Sequence, residues 1–219
     1  MFPILLYNNV MREIIFKIDD KNSGLMIRDF LRNFGVSSAL LTKLKQDENG
    51  IKLNGKFAKA IEVLKSGDNL TVNIKNSGKM PEKFECENVK VAYNDEDILV
   101  LNKPPLMPVH ESRNHRGDTL ANVAACYMES DCAFRAVYRL DRDTSGLVLI
   151  AKNELAASKL AGKIKKDYYA VVSGKFEGRG TIDLPIRRVQ ESIIERGVFD
   201  DGERAITHYE AIKTDGENT

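Results

Sequence analysis

Arg139 and Asp141, one residue apart, and a second aspartate at Asp143 are the side chains best suited to chemistry in this chain. They lie in the string Val137 to Lys152, VYRLDRDTSGLVLIAK. If Tyr138 to Asp141 are extended, successive side chains point to opposite faces, so Arg139 and Asp141 share one face and Leu140 is buried on the other. Thr144, Ser145 and Gly146 suit a tight polar turn. Leu147 to Ala151 has no polar alternation, which predicts a strand covered on both faces. A carboxylate at the mouth of such a strand, kept ionised by a neighbouring guanidinium, can stabilise positive charge, form a covalent bond or remove a proton. An Arg-x-Asp pair in a loop is more often a solvated ion pair of little energetic weight, so the elements around it decide the reading.

Strands are expected at Val89–Tyr93 and Ile98–Leu101, around an acidic turn. The second runs into Asn102-Lys103-Pro104-Pro105, where proline ends ladder donation. Val109-His110 follows, and Asp118 is the expected cap of a helix through Thr119, Leu120, Val123 and Ala124. Asn153 is the expected cap of another, reaching Lys166. Beyond it come Tyr168 and two further strand-like runs, Gly180–Ile186 and Ala205–Tyr209.

The front of the chain has a different pattern. Ile14, Phe16 and Ile18 alternate as in a strand, and Leu25, Phe30, Leu31 and Phe34 recur at helical spacing, with Arg28 and Arg32 at i, i+4 on another face. Gly35 ends that helix. Ser37 caps a second one, with Leu40, Leu41 and Leu44 inward and Lys43 and Lys45 outward. Asn49-Gly50 and Asn54-Gly55 bracket a short strand containing Lys52, and Gly67-Asp68 turns into the alternating strand Leu70, Val72, Ile74. Residues 77–88 combine glycine, proline and charge without periodicity, which predicts a linker. Residues 1–10 read as a loose extension or a mis-assigned start. The expected organisation is therefore 11–76, a linker over 77–88, and 89–219.

With 42% hydrophobic and 30% charged residues the composition is that of an ordinary folded protein. No apolar run reaches the length of a membrane span, and MFPILLY lacks the basic flank of a signal peptide. Cys86, Cys126 and Cys132 are odd in number and without metal spacing, as are the three histidines. A cytoplasmic protein with no metal and no membrane partner is expected. The net charge of +1 hides an asymmetry. Residues 1–84 hold 14 Lys and Arg against 9 Asp and Glu, so the basic excess lies in front.

The string from Tyr138 to Lys152 resembles the signature of the RluA/RluD-type RNA pseudouridine synthases, H-R-L-D-x-x-T-S-G-x-x-x-x-A-K, with Tyr138 where that family usually has His. The N-K-P step at Asn102 to Pro104, the V-H at Val109-His110, and Lys166 to Gly174 against K-x-Y-x-A-x-V-x-G extend the likeness, as do both later strands. The front part resembles the S-four RNA-binding module in its two short helices followed by hairpin strands, in Gly50 to Gly55 and in Val63 to Asp68. The resemblance implies an α+β chain: a small helix-pair-plus-hairpin RNA-binding domain, then a mixed, mainly antiparallel sheet of pseudouridine synthase type. The family's later G-R-T-H-Q-I-R segment has no counterpart before Thr219, so a truncated catalytic domain is expected.

Function follows from the same likeness. Uridines in RNA, ribosomal more than transfer RNA, would be isomerised without a cofactor, by a monomer. Asp141 would be the catalytic carboxylate, Arg139 would fill the gap left by the flipped base, and Tyr168 would stack on the uracil. Arg28, Arg32, Lys43, Lys45, Lys52 and Lys103 would meet phosphates. The alternatives are an RNA-binding protein without catalysis and a carboxylate glycosidase, the latter wanting a convincing second carboxylate.

Overall fold

The computed structural model describes residues 4–8, 11–75, 78–128, 132–189 and 195–219. They form two compact units, residues 1–164 and 165–219.

The first unit opens with a five-stranded antiparallel sheet. Strands β1 (Ile4–Asn8) and β2 (Met11–Lys17) form a hairpin, so Ile4–Asn8 is an edge strand and not the loose extension its composition suggests. After helices α1 (Ile27–Phe34) and α2 (Ser38–Gln46) come β3 (Ile51–Leu53), β4 (Lys56–Phe57) and β5 (Asn69–Lys75). The spatial order is β1-β2-β5-β3-β4. Alternation puts Ile14, Phe16, Leu70, Val72 and Ile74 under the helices, where Phe16 meets Phe30 and Phe34 edge-on at 5.2 and 4.6 Å. Ser37 caps α2 as expected, accepting from the Leu40 amide at 3.3 Å. Asn54 (φ 51) and Gly55 (φ 80) make the left-handed turn between β3 and β4. Gly50 serves another purpose: a Cβ there would lie 2.2 Å from the Leu44 carbonyl oxygen, so its role is close approach to α2.

The same unit continues into a second antiparallel sheet, β6 (Lys90–Asn94), β7 (Ile98–Lys103) and β8 (Gly146–Ala151), with β7 in the centre. Its covered face carries Leu99, Leu101, Val148 and Ile150 under α3 (Leu120–Ala124). The other face is open: Leu147 is 53% exposed, so β8 is not covered on both faces as its apolar run predicts. Residues 78–88 have no regular structure, but they are strapped down. Phe84 N donates to the Asn122 carbonyl, Asn122 donates to the Glu82 carbonyl, and Met80 enters the second core.

Helix α3 is capped one residue later than the sequence suggests. Thr119 is the N-cap, with its amide and hydroxyl both donating to Asn122 Oδ1, and Asp118 faces His115. Helix α4 (Glu154–Leu160) starts at the expected Asn153 cap and stops six residues short of Lys166.

The second unit is a three-stranded antiparallel sheet of β9 (Arg179–Arg188), β10 (Arg196–Val198) and β11 (Glu203–Glu210), in the order β10-β9-β11. Tyr168 to Val172 is irregular. Every strand pairing among the described residues is antiparallel, so a mixed sheet is not seen there. None of their helices is long and apolar enough to cross a membrane.

Candidate active site

Asp141 sits on a main chain held from several sides. Upstream, Val137 N donates to the Leu149 carbonyl at 2.9 Å and the Tyr138 hydroxyl to the Leu147 carbonyl at 2.9 Å, fastening this arm to β8. The tyrosine that departs from the family signature thus has a definite structural task. Leu140 is 8% exposed and belongs to the second core. Downstream, Thr144 N closes a turn onto the Asp141 carbonyl at 3.1 Å. Arg139 and Asp141 are exposed on either side of buried Leu140, which is the alternation read from the sequence, although the backbone forms no strand here.

The expected ion pair is absent. Among the described residues no hydrogen bond or ion pair joins Arg139 to Asp141, and both side chains are without a partner. Asp143 is the carboxylate already occupied, taking Arg142 Nε at 2.9 Å. A clamped backbone with an uncommitted carboxylate leaves Asp141 ready to act on a ligand.

Lys103, expected at phosphates, supplies a clamp instead. Its side chain is fully buried, on the same face of β7 as Leu99 and Leu101. The ammonium donates to the carbonyls of Pro104 (2.9 Å), Met107 (2.8 Å) and Arg142 (3.0 Å), which uses all three of its donors. Burial lowers its pKa, and the charges of Asp143 and Asp141 oppose that shift. A phosphate contact for Lys103 is therefore excluded by geometry. The signal was legible: the period of two that buries Leu99 and Leu101 also buries residue 103.

His110 packs edge-to-face on Phe134 at 5.2 Å. Its pKa is lowered by burial and then by the charge of the Arg139 guanidinium. Tyr168 lies in the second unit, 58% exposed. Of the expected phosphate ligands, Arg32 and Lys45 are exposed and uncommitted among the described residues, and Lys52 is half-buried. Arg28 pairs with Asp29 at 3.5 Å, and Lys43 is spent on Glu154 at 2.6 Å.

A family model described as RNA pseudouridylate synthase matches residues 97–219. The uncharacterized RNA pseudouridine synthase YjbO of Bacillus subtilis (strain 168) is 36% identical over 201 residues, covering 84% of this chain and 69% of that protein. Ribosomal large subunit pseudouridine synthase D of Pseudomonas aeruginosa is 32% identical over 172 residues, covering 74% of this chain and 53% of that one. Human RNA Pseudouridylate Synthase Domain Containing 4 is a distant structural neighbour (TM-score 0.44, 18% identity, 58% of this chain and 55% of that chain), too remote to inform the site. The match across the Asp141 arm and the strands on either side of it settles the matter of kinship: this chain belongs to the RNA pseudouridylate synthase family.

Proposed function

We propose that Asp141 is the catalytic carboxylate through which this chain isomerises uridine to pseudouridine in RNA. The observation that carries the reading is the contrast at this residue: main chain fixed by Leu140, Tyr138 and the Lys103–Arg142 contact, carboxylate exposed and unpartnered. In the isomerisation the bond from the ribose carbon to N1 of uracil breaks and a bond to C5 forms, with the C5 proton released and one taken up at N1. Atoms and electrons balance within the nucleotide, so the chemistry asks for no cofactor. The uridine must leave its stack, because both reacting carbons are shielded in a helix. Positive character develops on the sugar as the bond to N1 breaks, and a carboxylate opposes it, traps it covalently or removes a ribose proton. Arg139, exposed beside it, fills the space the base vacates. Tyr168 stacks on the everted uracil.

The front helices and hairpin act as an S-four-like module whose exposed Arg32 and Lys45 meet phosphates, supported by the basic excess of residues 1–84. Ribosomal RNA is the proposed substrate, on the strength of relatives named for the large ribosomal subunit. The sheet of residues 165–219 works with further polypeptide over it, a reading supported by the exposure of Ile182, Leu184 and Ile206.

The test is tritium release from large-subunit ribosomal RNA transcribed with uridine tritiated at C5. The parent chain releases tritium, and Asp141→Asn abolishes release while retaining the RNA on a filter. Release by that variant at near the parent rate overturns the assignment. RNA retention without release by the parent chain would favour an RNA-binding protein.

A further inference from the structure

Helix α4 joins the front sheet to the second sheet through side chains of specific geometry. Arg12 of β2, 7% exposed, makes a two-armed ion pair with Asp97, its Nη2 arm at 3.1 Å. Asn153, the α4 cap, donates to the same carboxylate at 2.7 Å. Glu154 receives Lys43 of α2 at 2.6 Å and Arg135 at 3.4 Å. Leu155 is buried within the front core. One turn later the Ser158 hydroxyl donates to the Gly35 carbonyl at 2.7 Å, and the Lys159 ammonium lies 3.6 Å over the Phe34 ring. Gly35, the left-handed cap of α1 (φ 107), fits closely here, since a Cβ would come within 2.9 Å of Lys159 Cγ.

A module on a free tether makes few lasting contacts with its neighbour. Here the connecting segment is strapped to α3, and ion pairs, a cation–π contact and an apolar side chain cross the junction together. Isolated exposed pairs contribute little, but opening this junction would lose the paired charges, the cation–π contact and the burial of Leu155 together.

We propose that α4 locks the front module to the body carrying Asp141 as one rigid reader, so that Arg32 and Lys45 grip the RNA backbone at a fixed distance from the catalytic carboxylate. That distance then selects which uridine is presented. The proposal rests on the RNA-binding reading of the front module. It makes Asp97, Glu154 and Lys159 positioning residues for substrate choice, remote from the chemistry.

The experiment uses the full chain with its three cysteines replaced and spin labels at Gln46→Cys and Arg116→Cys. Pulsed electron resonance should give one narrow distance distribution, unchanged on adding a large-subunit ribosomal RNA transcript. A broad or two-peaked distribution in the otherwise unaltered chain overturns the proposal. Adding Glu154→Ala with Lys159→Ala should broaden the distance. It should also scatter the RNA cleavage produced by an iron chelate tethered at residue 46, while overall affinity stays within about twofold. A distance and cleavage pattern that stay sharp in that variant also overturn it. The arm that tests the underlying reading is Arg32→Glu with Lys45→Glu: the salt dependence of RNA binding should fall by about two phosphate contacts. If binding is unaffected, the RNA role of the front module fails, whatever the distances show.

Discussion

The ammonium of Lys103 donates to the carbonyl oxygen of Arg142 at 3.0 Å, tying the end of the central strand to the residue next to Asp141. A buried cation is thus used to fix main chain, and the carboxylate beside it stays open to solvent.

Lys103→Met keeps the side-chain volume and removes the donors from three carbonyls, those of Pro104, Met107 and Arg142. Leaving buried acceptors unsatisfied costs about 3 kcal/mol in total. The variant should unfold earlier in urea and lose turnover beyond what its remaining folded fraction explains, because Asp141 is no longer held.

Leu140→Ala opens a cavity under the same turn. The side chain is 8% exposed within the second core, and the expected loss is about 2–4 kcal/mol. Equilibrium unfolding measures it, and tritium release at a temperature where the variant stays folded should also fall.

Asp141→Asn should leave stability within about 0.5 kcal/mol, since the carboxylate is exposed and has no partner among the described residues. Turnover should drop at least about a thousandfold. Parallel melting curves with lost tritium release would separate this residue from Leu140 and Lys103.

Asp97→Ala leaves the Arg12 guanidinium without its carboxylate, at a cost of about 2–3 kcal/mol, reduced from the fully buried case because Asp97 is 38% exposed. The double variant Arg12→Met, Asp97→Ala should recover most of that loss, as unfolding of the four proteins of the cycle would show.

Acid lability should come partly from the front hairpins. Asp68 accepts from the Asn54 amide and the Lys65 backbone, and Asp47 from Lys75 and the Asn49 backbone, so both carboxyls titrate below their ordinary 3.8. For a carboxyl depressed in the folded state, the stability gained is complete above the unfolded pKa and is lost as pH falls through the folded one. Asp68→Asn should therefore flatten the decline of stability below about pH 4, and the two unfolding curves should converge at lower pH.

Much of the chain was legible because its signals are local. Ser37 and Asn153 cap the helices they precede, Asn54-Gly55 turns where it must, and the alternation at Arg139, Leu140 and Asp141 survives even though no strand forms. Motif spacing of this kind depends only on neighbours in sequence, so the family, and Asp141 as a candidate, were within reach of the residues alone. Partnerships between distant residues were not. That Lys103 faces three carbonyls and no phosphate, that Lys43 is held by Glu154, and that Arg139 leaves Asp141 unpaired depend on which surfaces the folded chain brings together. Strand periodicity can mark a charged residue as buried, as it does Lys103, but it does not say which carbonyl or opposite charge will meet it. Only tertiary packing settles that partner, and the partner decides what the charge can do.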